Sequence, residues 1–251
     1  MPVVVEACVD SVASAVAAER GGAARVELCD ALHDAGTTPS AGMIAAVRER
    51  VRVPVFVIVR PRGGGFVYSA DEMDVMRRDV EAAHRLGADG IVLGALRANG
   101  MVDDSATRAL VDVAAGLPVT FHRAFDLVPD RDAALDALVA CGVSRVLTSG
   151  GAPTAIEGAD GIAALVRRAA GRLTVMAGGG VREAHVAELV RRSRVGEVHV
   201  RGSRLTRTDT APARNGIRLR KPLPDDEGAW EETDEGRIRE LVQRANAAPG
   251  A

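Results

Sequence analysis

The side chains in this chain that can do chemistry are of three kinds. Cys8 and Cys29 offer thiols, His122, Glu6 and Glu27 offer proton-transfer groups, and Arg60, Arg62, Arg123 and Arg201 offer guanidiniums. Most of them fall in short β-branched runs, where successive side chains point to opposite faces. In Pro118-Val119-Thr120-Phe121-His122, Val119 and Phe121 share one face and Thr120 and His122 the other. Val3, Val5 and Ala7 leave Glu6 and Cys8 opposite, and Val26 and Leu28 leave Arg25, Glu27 and Cys29 opposite. Val55, Val57 and Val59 precede Arg60, and Val198 and Val200 flank His199 before Arg201. Two soft thiolates suit Cu(I). An imidazole with a nearby carboxylate suits general acid–base catalysis.

Glycine-rich stretches add anion chemistry. Ser149-Gly150-Gly151, Gly178-Gly179-Gly180 and Arg201-Gly202-Ser203 each follow an apolar run. Backbone N–H groups in such loops attract phosphate or carboxylate, although a single glycine-rich loop is equally explained as a tight turn. Arg60-Pro61-Arg62 carries two guanidiniums that suit a bidentate clamp, and Arg123 follows His122 directly.

These residues need elements to carry them. Apolar runs at about Val3–Cys8, Arg25–Cys29, Val55–Arg60, Gly90–Gly94, Val119–His122, Arg145–Ser149, Thr174–Ala177 and Glu197–Arg201 read as strands. Between them lie helical stretches at Val12–Arg20, Ala41–Val51, Asp71–Leu86, Asp104–Ala115, Asp132–Cys141, Ile156–Ala170 and Arg182–Arg192, with a closing helix at Asp234–Ala247. Ser40, Ser69 and Thr233 stand where N-caps are wanted, and Glu72 follows Ser69 at capping-box spacing. Eight strands, each with room for one helix, predict an α/β fold: a single-domain (β/α)8 TIM barrel over residues 1–251. An extended, irregular eighth loop at about 203–232 is expected before the closing helix. In this fold the apolar parity faces the helices, and polar inward residues at C-terminal strand tips form the active mouth. Cys8, Cys29, Arg60, His122 and Arg201 would ring that mouth, with Glu6 and Glu27 a layer deeper. Buried Glu6 and Glu27 require arginine partners, so a structural ion-pair network competes with a functional role for them. His199 belongs to the site or fills the barrel.

Composition narrows the classes. Hydrophobic residues make up 47% and aromatics 2%, so the core is aliphatic, as in helix-covered parallel sheets. A net charge of −2 and the scarcity of stacking groups disfavour nucleic-acid binding. Charges interrupt every apolar run, so no membrane span is expected. The three cysteines make no CxxC pair, which suits a reducing cytoplasm, and Cys141 reads as core. His33, His84 and His185 read as solvated. The one lysine, Lys221, lies in the irregular segment, which argues against Schiff-base chemistry.

Glu6-Ala7-Cys8-Val9-Asp10-Ser11, Arg25-Val26-Glu27-Leu28-Cys29, Thr38-Pro39-Ser40-Ala41-Gly42, Val59-Arg60-Pro61-Arg62, Phe121-His122-Arg123-Ala124-Phe125-Asp126 and Leu147-Thr148-Ser149-Gly150-Gly151 resemble, in order, motifs of the copper homeostasis protein CutC family. The resemblance runs to about Val200 and more weakly through Arg214-Asn215-Gly216 and Thr233-Asp234. It implies a cytoplasmic (β/α)8 barrel, often a homo-oligomer, with a role in copper handling. It also implies that Cys8 and Cys29 match cysteines proposed to bind Cu(I).

Two functions follow as expectations. One is Cu(I) binding through Cys8 and Cys29, with a copper ion as partner. The other is lyase- or isomerase-type chemistry on a small anionic metabolite, with His122, Glu6 and Glu27 catalytic and the arginines and glycine loops holding the anion.

Overall fold

A computed structural model of the chain describes residues 2–207 and 228–247. Eight parallel strands, β1 (Val4–Val9), β2 (Arg25–Leu28), β3 (Val55–Ile58), β4 (Gly90–Leu93), β5 (Val119–Phe121), β6 (Arg145–Thr148), β7 (Thr174–Ala177) and β8 (Glu197–Val200), hydrogen-bond in sequence order. Pairing of β8 back to β1, with Glu6 beside His199, closes the barrel. This is the (β/α)8 TIM barrel.

Alternation along the strands divides the apolar residues into two cores. Val5, Ala7, Val26, Leu28, Val57, Ile91, Phe121, Val146 and Val198 belong to one large cluster packed under the helices. Cys8, Cys29, Phe56, Ile58 and Val92 form a separate cluster inside the barrel. The Phe56 ring is flanked by Arg25 and Arg145, whose guanidinium carbons lie 4.9 and 5.4 Å from its centroid. Gly90, its neighbour across the ladder, makes room for it: a Cβ there would stand 2.5 Å from the ring.

The helices are α1 (Val12–Arg20), α2 (Ala41–Arg50), α3 (Ala70–Arg85), α4 (Asp104–Val113), α5 (Arg131–Ala140), α6 (Ala159–Ala169), α7 (Val186–Ser193) and α8 (Glu235–Asn246). Ser40 caps α2, and Ser69 forms the full capping box with Glu72 on α3. Ile238 and Leu241 seat α8 against the barrel wall, where Gly202 admits them. None of the described helices is long and apolar enough to cross a membrane.

Several expectations need correction. The eighth loop is not irregular throughout: β9 (Ser203–Arg207) and β10 (Ala229–Thr233) pair as an antiparallel hairpin. Thr233 ends that hairpin, so Asp234 caps α8 instead. Helix α7 begins at Val186, not Arg182, because Arg182 to His185 is a turn whose Arg182 carbonyl accepts from the His185 and Val186 amides. Likewise α6 starts at Ala159, after Gly158, where a Cβ would overlap the Ser149 carbonyl. Strand β5 stops at Phe121, and His122 caps a 3-10 turn over Arg123–Leu127. Lys221 and Arg214-Asn215-Gly216 lie outside the described residues.

The fit of Phe56 against Gly90 can be tested directly. Gly90→Ala is expected to lower the unfolding free energy by about 1–3 kcal/mol, the cost of overpacking a tight interior. Urea denaturation measures it, and an unchanged midpoint would contradict the packing described.

Candidate functional site

The barrel floor is a chain of buried charges. Arg25 Nε donates to Glu6 Oε2 at 2.5 Å, and Arg25 Nη2 donates to Glu197 Oε2 at 2.6 Å. Arg145 Nε donates to the same Glu197 oxygen at 2.6 Å. Strand register delivers this, because Glu6 sits beside Arg25 on one neighbour and His199 on the other. His199 Nδ1 lies 2.8 Å from Glu6 Oε1, and its Nε2 lies 3.4 Å from Glu27 Oε2. With Glu6 at one nitrogen, Glu27 at the other and the Cys8 sulfur close by, the ring is held as imidazolium. Burial opposes its charge, but Cys8, Glu6 and Glu27 raise its pKa well above the usual value. Burial works against the Glu6 carboxylate as well, and His199 and Arg25 overcome it, holding the group at about 2.

Above this floor, Cys8 and Cys29 bring their sulfurs to 3.7 Å. The Cys29 thiol, donating toward Cys8, lowers the Cys8 pKa to about 6 against the burial penalty, with His199 and Arg201 helping. Cys29 itself is pushed well above its usual value by the same pairing and by burial. Cys8 is therefore the thiolate of the pair. Cys8, Glu27 and His199 present one ligand atom each within 4.8 Å of one another. Glu27 differs from Glu6: burial outweighs the His199 charge and raises it to about 8.

Cys8 and His199 also line a cavity of about 490 Å³ at the C-terminal mouth. Its rim carries Arg123, Arg182, Arg201 and Arg237, together with Gly179, Gly180 and Gly202. Gly179 has a positive φ of 107°, and the Arg123 guanidinium lies across it where a Cβ would stand 2.9 Å away. Arg201 pairs with Glu231 at 2.9 Å, and Arg237 pairs with Glu183. Ser203 lines the same rim, and Gly178 backs His199 from inside the barrel.

Other expected anion residues are held elsewhere. Arg60 Nη1 donates to the Asp34 and Gly36 carbonyls at 2.5 and 2.7 Å, and Nη2 to Gly64 at 2.9 Å. Arg62 pairs with Glu72 and donates to the Gly65 and Val67 carbonyls. Both pin their own loop, and Arg60 Nε is buried without a partner. The Ser149–Gly151 loop does bind an anion, but the anion is internal. Asp126 Oδ1 accepts from the Thr148 hydroxyl and from the Ser149 and Gly151 amides at 2.5, 3.0 and 3.1 Å. Asp126 Oδ2 accepts from Arg123 Nε at 2.8 Å and so aims that side chain at the cavity.

His122 is set apart from the thiols. Its Nδ1 accepts from the Ala124 amide at 3.2 Å, its ring packs 4.9 Å from Phe66, and Gly94 makes room for it. Its Nε2 is buried with no partner. Burial and the Arg60 charge lower its pKa to about 3, so the ring is neutral. The structure thus gathers Cys8, Cys29, Glu6, Glu27 and Arg201 with His199, and places His122, Arg60 and Arg62 on the strand 3 to strand 5 side.

A family model described as the CutC family matches residues 3–204. The chain belongs to the CutC family. It is 46% identical over 248 residues to a CutC family protein of Xanthomonas axonopodis pv. citri, covering 97% of this chain and 99% of that one. It is 45% identical over 237 residues to the copper homeostasis protein cutC homolog of Homo sapiens, covering 94% of this chain and 86% of that one. A crystal structure of the putative copper homeostasis protein CutC from Streptococcus agalactiae superposes with a TM-score of 0.75 at 36% identity, covering 79% of this chain and 98% of that one.

In this CutC family chain the parity rule could have found Glu197 and Arg145, which share inward faces with His199 and Leu147. Nothing in the local sequence announces Arg182 or Arg237, which a turn and a helix bring to the rim.

The buried Glu27 carboxyl should show in the pH dependence of stability. Its folded pKa of about 8 exceeds the ordinary 4.5, so the folded state holds a proton that the unfolded chain releases. Its contribution is present below 4.5 and is lost as pH rises toward 8. Glu27→Gln, which cannot ionise, should therefore gain stability relative to wild type between pH 5 and pH 8. Urea midpoints at the two ends measure it; a constant difference would place the Glu27 pKa near normal.

Proposed function

We propose that this protein binds Cu(I) through Cys8 and Cys29, within the copper role carried by its family. The observation that supports this most directly is the 3.7 Å thiol pair above a charged floor, with Cys8 open to the mouth. Thiolates favour Cu(I), and the donor set present here is of that kind. Bonds of about 2.3 Å, the zinc–thiolate length, would span about 4.6 Å if linear. The observed separation is shorter, so the pair brackets an ion from one side and leaves room for a third donor. Glu27 faces that position, as does His199 once it gives up a proton. Such a site requires reduced thiols, which fits the reducing cytoplasm, and all three cysteines are free.

The test is a Cu(I) titration against a competing chelator. Wild type is expected to take one equivalent, Cys8→Ser and Cys29→Ser to bind far more weakly, and the double variant to bind none. Equal stoichiometry in wild type and double variant would end the proposal. Protons compete for the Cys8 thiolate, so apparent affinity should fall as pH drops through about 6.

The cavity favours a second reading. It is far larger than one ion needs, and His199, which lines it, has the buried Glu27 carboxyl 3.4 Å from its Nε2, so that two proton-transfer groups adjoin the cavity. Acid–base chemistry on a small anionic metabolite would then use His199 and Glu27, with Glu6 orienting the ring. Thermal stabilisation by a particular carboxylated or phosphorylated metabolite, absent in Glu27→Gln, would support it. No shift across a broad metabolite panel would count against it.

A further inference from the structure

We infer that the cavity above Cys8 recognises a small anionic thiol that carries Cu(I), so that copper arrives as a complex and is handed over sulfur to sulfur. The inference rests on the Cu(I) reading above and adds the identity of the donor.

Three observations point to it. The cavity, about 490 Å³, has room for a short peptide-like molecule. Among the described residues its rim is predominantly cationic: four arginines from different segments line it against one carboxylate, Glu231. Arg201 and Arg237 are already engaged by Glu231 and Glu183. The Arg182 side chain is exposed, and its guanidinium makes no hydrogen bond or ion pair among the described residues. Arg123 spends Nε and Nη2 on Asp126 and Ser149, which leaves Nη1 directed over Gly179. Two guanidiniums with donors to spare therefore stand above the thiols, as a carboxylate-bearing ligand requires.

The third observation is the asymmetry of the sulfurs. Cys8 is 9% exposed and lines the cavity, whereas Cys29 is 2% exposed and lies behind it. An incoming complex meets Cys8 first. The Cys8 sulfur donates its electron pair to copper, and one copper–sulfur bond to the carrier breaks with its pair leaving on the carrier sulfur. Cys29 then ligates the same ion as the second copper–sulfur bond to the carrier breaks, and its thiol proton passes to that second departing thiolate. Copper remains Cu(I) throughout, and nothing is oxidised or reduced. The rim arginines hold the carrier's carboxylates during the exchange.

Two measurements test this on the intact chain. In the first, the rate of Cu(I) uptake from its glutathione complex is compared with that from its 2-mercaptoethanol complex, whose thiol carries no carboxylate. Wild type is expected to take copper from glutathione at least about tenfold faster, the scale on which a cleft of one sign concentrates its ligand. Arg182→Gln, on an exposed side chain, should narrow that ratio, and Arg123→Gln/Arg182→Gln should abolish it while equilibrium stoichiometry stays the same. The second uses the copper-free protein: S-methylglutathione, which cannot bind copper through a thiolate, should slow alkylation of Cys8 by iodoacetamide in wild type and not in Arg182→Gln. Equal uptake rates, or no protection of Cys8, overturns the inference and leaves Cu(I) binding standing. Failure of wild type to bind Cu(I) at equilibrium instead removes the underlying reading, and the protection experiment still reports whether the cavity takes the anion.

Discussion

Glu6 is the point at which this barrel and its site are joined. Fully buried, it accepts from Arg25 on one neighbouring strand and faces His199 on the other, across the seam where β8 closes onto β1. An ionised carboxylate in a protein interior is tolerated only when paired, so closure of the barrel and ionisation of Glu6 require each other. The consequence reaches the mouth. With Glu6 ionised, His199 stays an imidazolium, and the imidazolium favours Cys8 as thiolate.

The same logic of paired charge decides what the rim can do. Asp126 fills the amide nest after β6, so that loop is already satisfied, and its second oxygen orients Arg123. Arg60 closes the loop after β3 through three carbonyls. In the loops after β7 and β8 the carboxylates of Glu183 and Glu231 engage Arg237 and Arg201, and it is there that the cavity opens over Cys8. The mouth is asymmetric: the loops after β3 and β6 are closed by internal carbonyls and by Asp126, and the cavity opens on the β7 and β8 side.

Much of the architecture was legible in the amino-acid order. Val5, Ala7, Val26, Leu28, Val57 and Val198 alternate with polar or smaller partners, and a strand has only two faces, so their burial under the helices placed Glu6, Cys8, Glu27 and His199 inside. The hairpin of β9 and β10 was not legible, because Ser203–Arg207 has no apolar alternation and is held by its pairing with a segment more than twenty residues away. The start of α7 was displaced for a similar reason, since the turn at Arg182 satisfies amides that a helix would otherwise use.

The sequence by itself determined the barrel and the company Cys8, Cys29, Glu6 and Glu27 keep, because parity along a strand is a local property. Which charges are already neutralised was decided only by the tertiary structure. Arg60, Arg62, Arg123 and Arg182 are equivalent as letters, and they differ in whether folding brings a carbonyl or carboxylate within reach of the guanidinium. His122 and His199 diverge in the same way: one meets Phe66 and a backbone amide and stays neutral, the other meets the Glu6 carboxylate and the Cys8 sulfur and is charged.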